Sequence, residues 1–167
     1  GETFALVGES GSGKTTIARA LAGLLPFVSG DVRFDGVYDL KQVANKRSRE
    51  LLRLIQFIFQ NPDASLNPRQ QISQVIGRPL RMFFDLSGRE LQARVEKLLE
   101  DVRLEARYAG RYPDELSGGE RQRIALARAL AAEPKLILCD EILSALDVSV
   151  QAGVLELLID LQTRNNI

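Results

Sequence analysis

The chain has 167 residues, of which 45% are hydrophobic and 26% charged, enough apolar material for one soluble globular domain with a sizeable core. Its 22 basic residues balance 22 acidic ones, so bulk charge gives no reason to expect nucleic acid or an anionic membrane surface as a partner. The single cysteine excludes an internal disulfide, and the absence of histidine excludes imidazole chemistry on this chain alone.

The first predicted elements are a strand, a glycine loop and a helix. The apolar run over 4–7 predicts a buried strand, with Phe4 inside the core. Apolar residues at helical spacing then predict an amphipathic helix whose apolar face carries Ile17, Leu21 and Leu24. Turn signals at 29–31 and 35–36 bracket a short strand over 32–34.

A strand and a proline loop precede a long helical region. Residues 55–59 are β-branched and aromatic enough for a strand, and two prolines forbid regular structure within the following loop, 61–68. The pattern is helical from about 71 to 132. Two capping boxes mark helix starts in this region, Ser87 with Glu90 and Ser117 with Glu120.

The last predicted elements are a buried strand over 135–139 and an amphipathic helix over 148–161. Strands alternating with helices indicate an α/β fold with a mainly parallel sheet. The expected organisation is a single domain in which a helical subdomain, 61–132, is inserted between the two parts of the core, 1–60 and 133–167.

Residues 8–15 match the phosphate-loop pattern Gly-x-x-x-x-Gly-Lys-Thr between a predicted strand and a predicted helix. Glycines let backbone N–H groups wrap a phosphate, and the helix N-terminus adds a favourable dipole. Lys14 is expected to reach the β- and γ-phosphates of ATP, and the Thr15 hydroxyl to coordinate Mg²⁺. The alternative is a Gly/Ser-rich turn before a helix. The predicted ATP contacts are Gly8, Ser10, Gly11, Ser12, Gly13, Lys14, Thr15 and Thr16.

Asp140 and Glu141 end the predicted strand over 135–139, at the edge where α/β folds bind ligands. Asp140 suits the Mg²⁺ shell, directly or through water. Glu141 lies one residue further on and can point differently, so it is the candidate general base for the attacking water. The alternative is a pair of solvated acids, and Cys139 is expected to be a small core residue.

The sequence Leu-Ser-Gly-Gly-Glu-Arg-Gln occupies residues 116–122. Two glycines after an N-cap serine leave a helix N-terminus open to an anion. This stretch resembles the signature motif of ATP-binding cassette (ABC) proteins. The resemblance implies a head-to-tail dimer in which the γ-phosphate of ATP held by one subunit is contacted by four residues of the other, Ser117, Gly118, Gly119 and Glu120. The alternative is an ordinary capping box ahead of a helix.

Two further stretches are similar to the same family. Gln60 matches the Q-loop glutamine, which in the family contacts Mg²⁺ and the attacking water. Residues 144–147 match the D-loop that crosses the dimer interface, which makes Asp147 a candidate nucleotide contact. The expected metal ligands are therefore Thr15, Gln60 and Asp140, and the expected catalytic residues are Glu141, Lys14 and Gln60.

The stretches 59–69 and 147–152 resemble one branch of the family, the importers of oligopeptides, dipeptides and nickel. A loop bounded by prolines after the Q-loop glutamine could transmit the nucleotide state to a docked membrane subunit, or it could serve packing alone. The apolar cluster 82–84 is interpreted as core, with a groove for a membrane subunit's coupling helix as the alternative.

The chain also departs from the family pattern. No aromatic residue precedes Phe4 to stack on adenine, and no histidine is present to contact the γ-phosphate. Ile142 and Leu143 stand where relatives usually have Pro-Thr after the catalytic acid. We therefore expect a fragment of a longer product, truncated at both ends relative to the family domain.

The resemblance implies ATP binding and hydrolysis by a transporter subunit that energises movement of a small, peptide-like solute across the cytoplasmic membrane. The implied partners are a second ABC ATPase subunit, membrane-spanning permease subunits and an extracytoplasmic solute-binding protein, with no nucleic acid. The implied location is cytoplasmic, peripheral on the inner face of the cell membrane. Two alternatives stay open: a nucleotide-binding fragment without hydrolytic activity, and an ABC ATPase that serves DNA or ribosomes.

Overall fold

The computed structural model describes residues 1–62, 65–144 and 146–167. Asp63 and Ala64 of the Pro/Asn loop and Ala145 of the D-loop stretch lie outside the described residues. The helices and strands follow one another as α1 Lys14–Leu21, β1 Arg33–Phe34, β2 Tyr38–Asp39, α2 Arg49–Leu54, β3 Ile55–Ile58, α3 Ile72–Phe84, α4 Gly88–Asp101, α5 Gly118–Leu130, β4 Leu136–Cys139 and α6 Val148–Asn165. Short 3₁₀ helices cover Ala44–Lys46, Ala106–Gly110 and Pro113–Glu115.

Two strands that are far apart in the sequence form the parallel pair at the centre of the fold. β3 and β4 run in the same direction, with Ile55 opposite Leu136 and Ile58 opposite Cys139. The backbone N–H of Asp140 donates to the carbonyl of Ile58 at 3.1 Å, which extends the ladder by one residue. Since the carboxyl ends of parallel strands lie at one edge, the residues that follow β3 and β4 must lie side by side. The prediction of an α/β fold with a parallel sheet is confirmed.

The predicted strand over 4–7 is wrong. Phe4 is 90% exposed and Val7 is 89% exposed, and no strand pairs with this segment among the described residues. An extended segment without a neighbour can neither complete a hydrogen-bond ladder nor bury its side chains, so apolar composition alone does not make it a strand. The predicted apolar face of α1 is also open, with Ile17 49% exposed and Leu24, beyond the end of the helix, 45% exposed.

The short strand that was predicted over 32–34 forms a hairpin. β1 pairs antiparallel with β2, with Phe34 opposite Tyr38. The chain reverses at Asp35 and Gly36, whose φ angles are 54° and 68°. The rings of Phe34 and Tyr38 lie 6.3 Å apart and cover a small apolar cluster that contains Leu40, Leu51 and Ile55. The turn signals in the sequence therefore located this element correctly.

The larger core lies among the helices α3, α4, α5 and α6. Its fully buried members come from all four helices and include Ile72, Ile76, Leu99, Ile124, Val154 and Leu157. Each buried aliphatic side chain of this size contributes about 1.5–3 kcal/mol relative to exposure. The cluster also contains Ile58 at the end of β3, so the helical region and the strand pair share one continuous apolar interior. This core fixes the start of α5 relative to the sheet edge.

The two predicted capping boxes have different outcomes. At the start of α5, Ser117 Oγ accepts from the Glu120 N–H at 3.3 Å and Glu120 Oε2 accepts from the Ser117 N–H at 2.7 Å, as predicted. At the start of α4, Ser87 is the N-cap residue but makes no side-chain capping bond, so the Ser87–Glu90 box is wrong. Gly88 has φ of 55°, a left-handed turn at the first helical position that alters the path of the chain between the serine and the first turn.

In the described part of the chain, no helix combines the length and the hydropathy that a bilayer crossing requires.

Candidate functional site

The phosphate loop is an exposed glycine turn that leads into α1. Gly13, the N-cap residue of α1, has φ of 93°, a conformation that glycine adopts without steric cost. It carries no side chain over the helix end, and α1 has no side-chain capping bond. The first N–H groups of α1 are therefore available to a ligand, as an anion-binding helix N-terminus requires.

Lys14 curls back over this loop. Its Nζ donates to the carbonyl of Gly8 at 2.8 Å and to the carbonyl of Glu9 at 2.7 Å. Both acceptors are neutral backbone oxygens of the exposed loop, so these bonds place the ammonium at the mouth of the loop. This arrangement places a cation beside the free backbone N–H groups, which suits a polyphosphate.

A hydrogen bond joins the phosphate loop to the acidic strand end. Thr15 Oγ1 donates to Asp140 Oδ1 at 2.7 Å, although the two residues are 125 positions apart. Asp140 is 5% exposed, and Arg19 Nη2 lies 3.8 Å from its other oxygen. Two hard oxygen donors at this separation fit the ligand preference of Mg²⁺. Within the described residues no three Cys, Asp or Glu side chains converge, so phosphate oxygens and water would complete the shell of such an ion.

The two carboxyl ends of the parallel pair meet at Gln60 and Glu141. Gln60 Nε2 lies 3.2 Å from Glu141 Oε2 and 3.0 Å from Ser144 Oγ, and the Ser144 hydroxyl donates to the Glu141 carbonyl at 2.9 Å. Glu141 has φ of 47°, a left-handed conformation that costs a non-glycine residue about 1–2 kcal/mol. Gln60 contacts the carboxylate directly and Ser144 binds the backbone carbonyl of the same residue, so an exposed carboxylate is held at the sheet edge, where a general base would be needed.

The signature stretch lies at the start of α5 and packs against the start of α6. A Cβ added to Gly119 would lie 2.6 Å from Val150 Cγ1, and one added to Gly118 would lie 3.6 Å from Leu146 Cδ2. Tyr108 donates a short hydrogen bond to Glu120 Oε1. This bond, followed by the bond from the Ser117 N–H, holds the pKa of the Glu120 carboxyl below its usual value. The close approach of α6 therefore requires glycine at position 119, whereas a methyl group at position 118 would make an ordinary contact.

The predicted residues form two groups. The first contains Lys14, Thr15, Asp140, Gln60 and Glu141, around the phosphate loop and the sheet edge. The second is Ser117–Glu120, and among the described residues no hydrogen bond or ion pair joins it to residues 8–16. Asp147, the exposed N-cap residue of α6, lies next to the signature side of the molecule and makes no side-chain capping bond. Within one copy of the chain, the signature residues 117–120 are therefore not joined to the phosphate loop.

Several residues in or near the site were not among the predicted site residues. Arg19 faces Asp140, Ser144 joins Gln60 to Glu141, and Tyr108 binds Glu120. Arg47 is 8% exposed and donates to the carbonyls of Leu21, Leu40 and Gln42, each at 2.8 Å. Arg19 follows Thr15 by one helical turn, a spacing that could have indicated a shared face. The others depend on tertiary contacts that no local pattern encodes.

The chain is similar to proteins of one family over most of its length. The ABC transporter family model matches residues 1–144. The chain belongs to the ABC transporter family. A dimeric ATP-binding cassette solved in a post-hydrolysis state with ADP and Pi aligns with this ABC chain at a TM-score of 0.80 and 32% identity, covering 94% of the chain and 68% of that structure.

Curated relatives of this ABC chain are named as import proteins. A candidate peptide import ATP-binding protein of Brucella abortus strain 2308 is 48% identical over 162 residues, which is 97% of the chain and 48% of that protein. The glutathione import ATP-binding protein GsiA of Escherichia coli K12 is 51% identical over 162 residues, which is 97% of the chain and 26% of GsiA. The chain thus spans about half the length of the first relative and about a quarter of the second. The family resemblance and the P-loop fold predicted from the sequence are confirmed, and the residue roles stay predictions.

Proposed function

We propose that this chain is the ATP-hydrolysing core of an ABC importer for a peptide-like solute. The observation that carries the proposal is the Thr15–Asp140 contact of 2.7 Å, which joins the phosphate loop to the acidic strand end with Glu141 as the next residue. A polyphosphate-binding turn beside a buried and an exposed carboxylate is the arrangement that phosphoryl transfer to water requires. The family match over residues 1–144 supports the same chemistry.

In the proposed reaction, the N–H groups at the start of α1 and the Lys14 ammonium bind and orient the phosphates of ATP. Thr15 and Asp140, with Gln60, would hold Mg²⁺, and the ion would supply positive charge beside the phosphate oxygens. Glu141 accepts a proton from the attacking water, and Gln60 positions that carboxylate through its 3.2 Å contact. As the phosphoryl group is transferred, Lys14 stays beside the oxygens on which negative charge accumulates.

A second copy or a close relative completes the site in this proposal. Residues 117–120 are separate from residues 8–16 within one chain, yet they form a second glycine-containing helix N-terminus of the kind that binds anions. A head-to-tail pair would set this cradle against the γ-phosphate of the partner's ATP. Loss of phosphate would remove the shared ligand and reopen the pair, and that motion would drive permease subunits at the inner face of the cell membrane. The peptide and glutathione import names of the relatives favour a peptide-like solute.

The proposal is tested by measuring ATP binding and phosphate release from Mg-ATP in the same samples of the chain. The Lys14→Ala variant is the control, because it removes the cation at the mouth of the loop and leaves the buried core intact. We expect release by the wild type and its loss in the variant. ATP binding without release by the wild type would favour the alternative of a nucleotide-binding fragment that does not hydrolyse. Release that persists in Lys14→Ala would refute the assigned site.

A further inference from the structure

Glu120 places a negative charge at the start of α5, the helix N-terminus that is proposed to bind the phosphate of a second copy's ATP. It is the third residue of α5, directly after the two glycines that leave the helix N-terminus uncovered. A carboxylate near a helix N-terminus stabilises the helix, but the same charge repels an incoming phosphate. An unrestrained glutamate within several ångströms of a triphosphate would weaken its binding roughly tenfold or more. Phosphate binding at the start of α5 therefore requires that the Glu120 carboxylate be held away from the phosphate.

Both oxygens of the Glu120 carboxylate are engaged within the chain. Oε1 accepts the hydroxyl of Tyr108, and Oε2 accepts the Ser117 N–H at 2.7 Å. The capping box accounts for the second bond, since a serine N-cap followed by glutamate three residues later makes it in many helices. The bond from Tyr108 is an addition that comes from a separate 3₁₀ helix, Ala106–Gly110.

Tyr108 is itself held in place from two sides. Its ring packs against the large apolar core, and the guanidinium of Arg111 lies 4.3 Å from the ring centroid. The carbonyl of Arg111 accepts the N–H of Ile72 at 2.9 Å, which ties this segment to the start of α3. The Tyr108 side chain is therefore restrained by its neighbours, and its hydroxyl is held in position to bind Glu120.

The same network leaves Ser117 able to donate. Ser117 Oγ accepts the Glu120 N–H at 3.3 Å, so its hydroxyl hydrogen is not used by the capping bond. Ser117 is exposed, whereas Glu120 is half-buried. The carboxylate is thus engaged within the chain, while the exposed Ser117 keeps a hydroxyl hydrogen that can donate to a ligand.

We propose that Tyr108 is a positioning residue that holds the Glu120 carboxylate against the domain, so that the start of α5 stays open to the phosphate of ATP on a second copy. This inference rests on the proposed function, because it assumes that two copies close over ATP. It assigns Tyr108 an electrostatic role, exercised through Glu120, beyond that of a packed ring.

The test uses sedimentation velocity to measure the ATP concentration at which half of the protein is dimeric. All variants carry Glu141→Gln, which is expected to prevent hydrolysis and so to retain bound ATP. We expect Tyr108→Phe to raise this concentration roughly tenfold at low salt, and less at 0.5 M salt because exposed charges are screened. Tyr112→Phe is the matched control, since Tyr112 lies on the same segment and is 41% exposed, and it should shift the value less than twofold.

The decisive arm adds Glu120→Gln. Glutamine keeps the capping box but removes the charge, so Tyr108→Phe should have less than a twofold effect in the Glu120→Gln background. A tenfold loss that persists there, or no loss in the single variant, would overturn the inference. Thermal unfolding of each variant checks that the fold is retained. If the Glu141→Gln chain binds ATP but never dimerises, the proposed closure of two copies is refuted, and the inference with it. If this chain dimerises normally and Tyr108→Phe has no effect, only the inference is refuted.

Discussion

Gly119 offers a sharp test of how the signature stretch is packed. A methyl group added at this position would lie 2.6 Å from Val150 Cγ1 at the start of α6, well inside the contact distance of two carbon atoms. Valine in a helix has one strongly preferred rotamer, so Val150 cannot turn away without cost. Gly119→Ala should therefore push α5 and α6 apart at the point where both helices begin.

The expected magnitude comes from two opposing effects. Overpacking by one methyl group costs about 1–3 kcal/mol, and replacing glycine by alanine inside a helix returns about 1 kcal/mol. Gly118→Ala receives a comparable helix benefit, but its added methyl group would lie at an ordinary 3.6 Å from Leu146 Cδ2. We therefore expect Gly119→Ala to be less stable than Gly118→Ala by about 1–3 kcal/mol, or about 2–4 °C in Tm per kcal/mol for a chain of this size.

The assay is urea unfolding of both variants without nucleotide, followed by circular dichroism. The added substitution Val150→Ala should remove most of the difference, giving a coupling free energy of about 1 kcal/mol or more between positions 119 and 150. Equal stability of Gly118→Ala and Gly119→Ala, or a difference that Val150→Ala leaves unchanged, would refute the packing argument.

Three further substitutions test other parts of the structure. Gln122 is 1% exposed, and its amide has no hydrogen-bond partner among the described residues. Gln122→Met should therefore raise the free energy of unfolding by about 1 kcal/mol in urea titrations, and a loss of stability would contradict this. Glu141→Gly should relieve the left-handed strain and stabilise the fold by about 0.5–1 kcal/mol while phosphate release is lost; unchanged release would remove Glu141 as the base. The pKa of Glu120 is held below its usual 4.5, so the folded state loses stability as pH falls below that value, where the unfolded state binds more protons. Glu120→Gln should flatten that acid limb in thermal unfolding from pH 6 to 3, and an unchanged slope would count against the network.

The sequence located the elements whose signals are local. The turn at Asp35–Gly36 and the box of Ser117 with Glu120 depend on residues a few positions apart, and both form as predicted. The sequence placed Gln60 and Glu141 each after a predicted strand, and the structure brings them together because parallel strands have their carboxyl ends at one edge. The family motifs marked Gln60 and Glu141 as candidate site residues, and their roles stay predictions.

The errors arose where tertiary partners decide the outcome. Apolar residues over 4–7 have the composition of a buried strand, but Val7 stays 89% exposed because no strand pairs with the segment within the described residues. Ser87 has the right spacing to Glu90, yet the left-handed Gly88 lies between them. The contact of Gln60 with the Glu141 carboxylate spans 81 positions and the bond from Tyr108 to Glu120 spans 12, so no local pattern could predict either.

We propose that two copies of this chain close over ATP, each contributing its phosphate loop to one site and its signature stretch to the other. Sedimentation velocity of the Glu141→Gln chain with and without ATP tests it most directly, with Ser117→Arg in the same background as the control. We expect ATP to convert Glu141→Gln from monomer to dimer, and the Ser117→Arg chain to bind ATP but stay monomeric because the large side chain blocks the start of α5. ATP-driven dimers that form equally well with Ser117→Arg would contradict the claim.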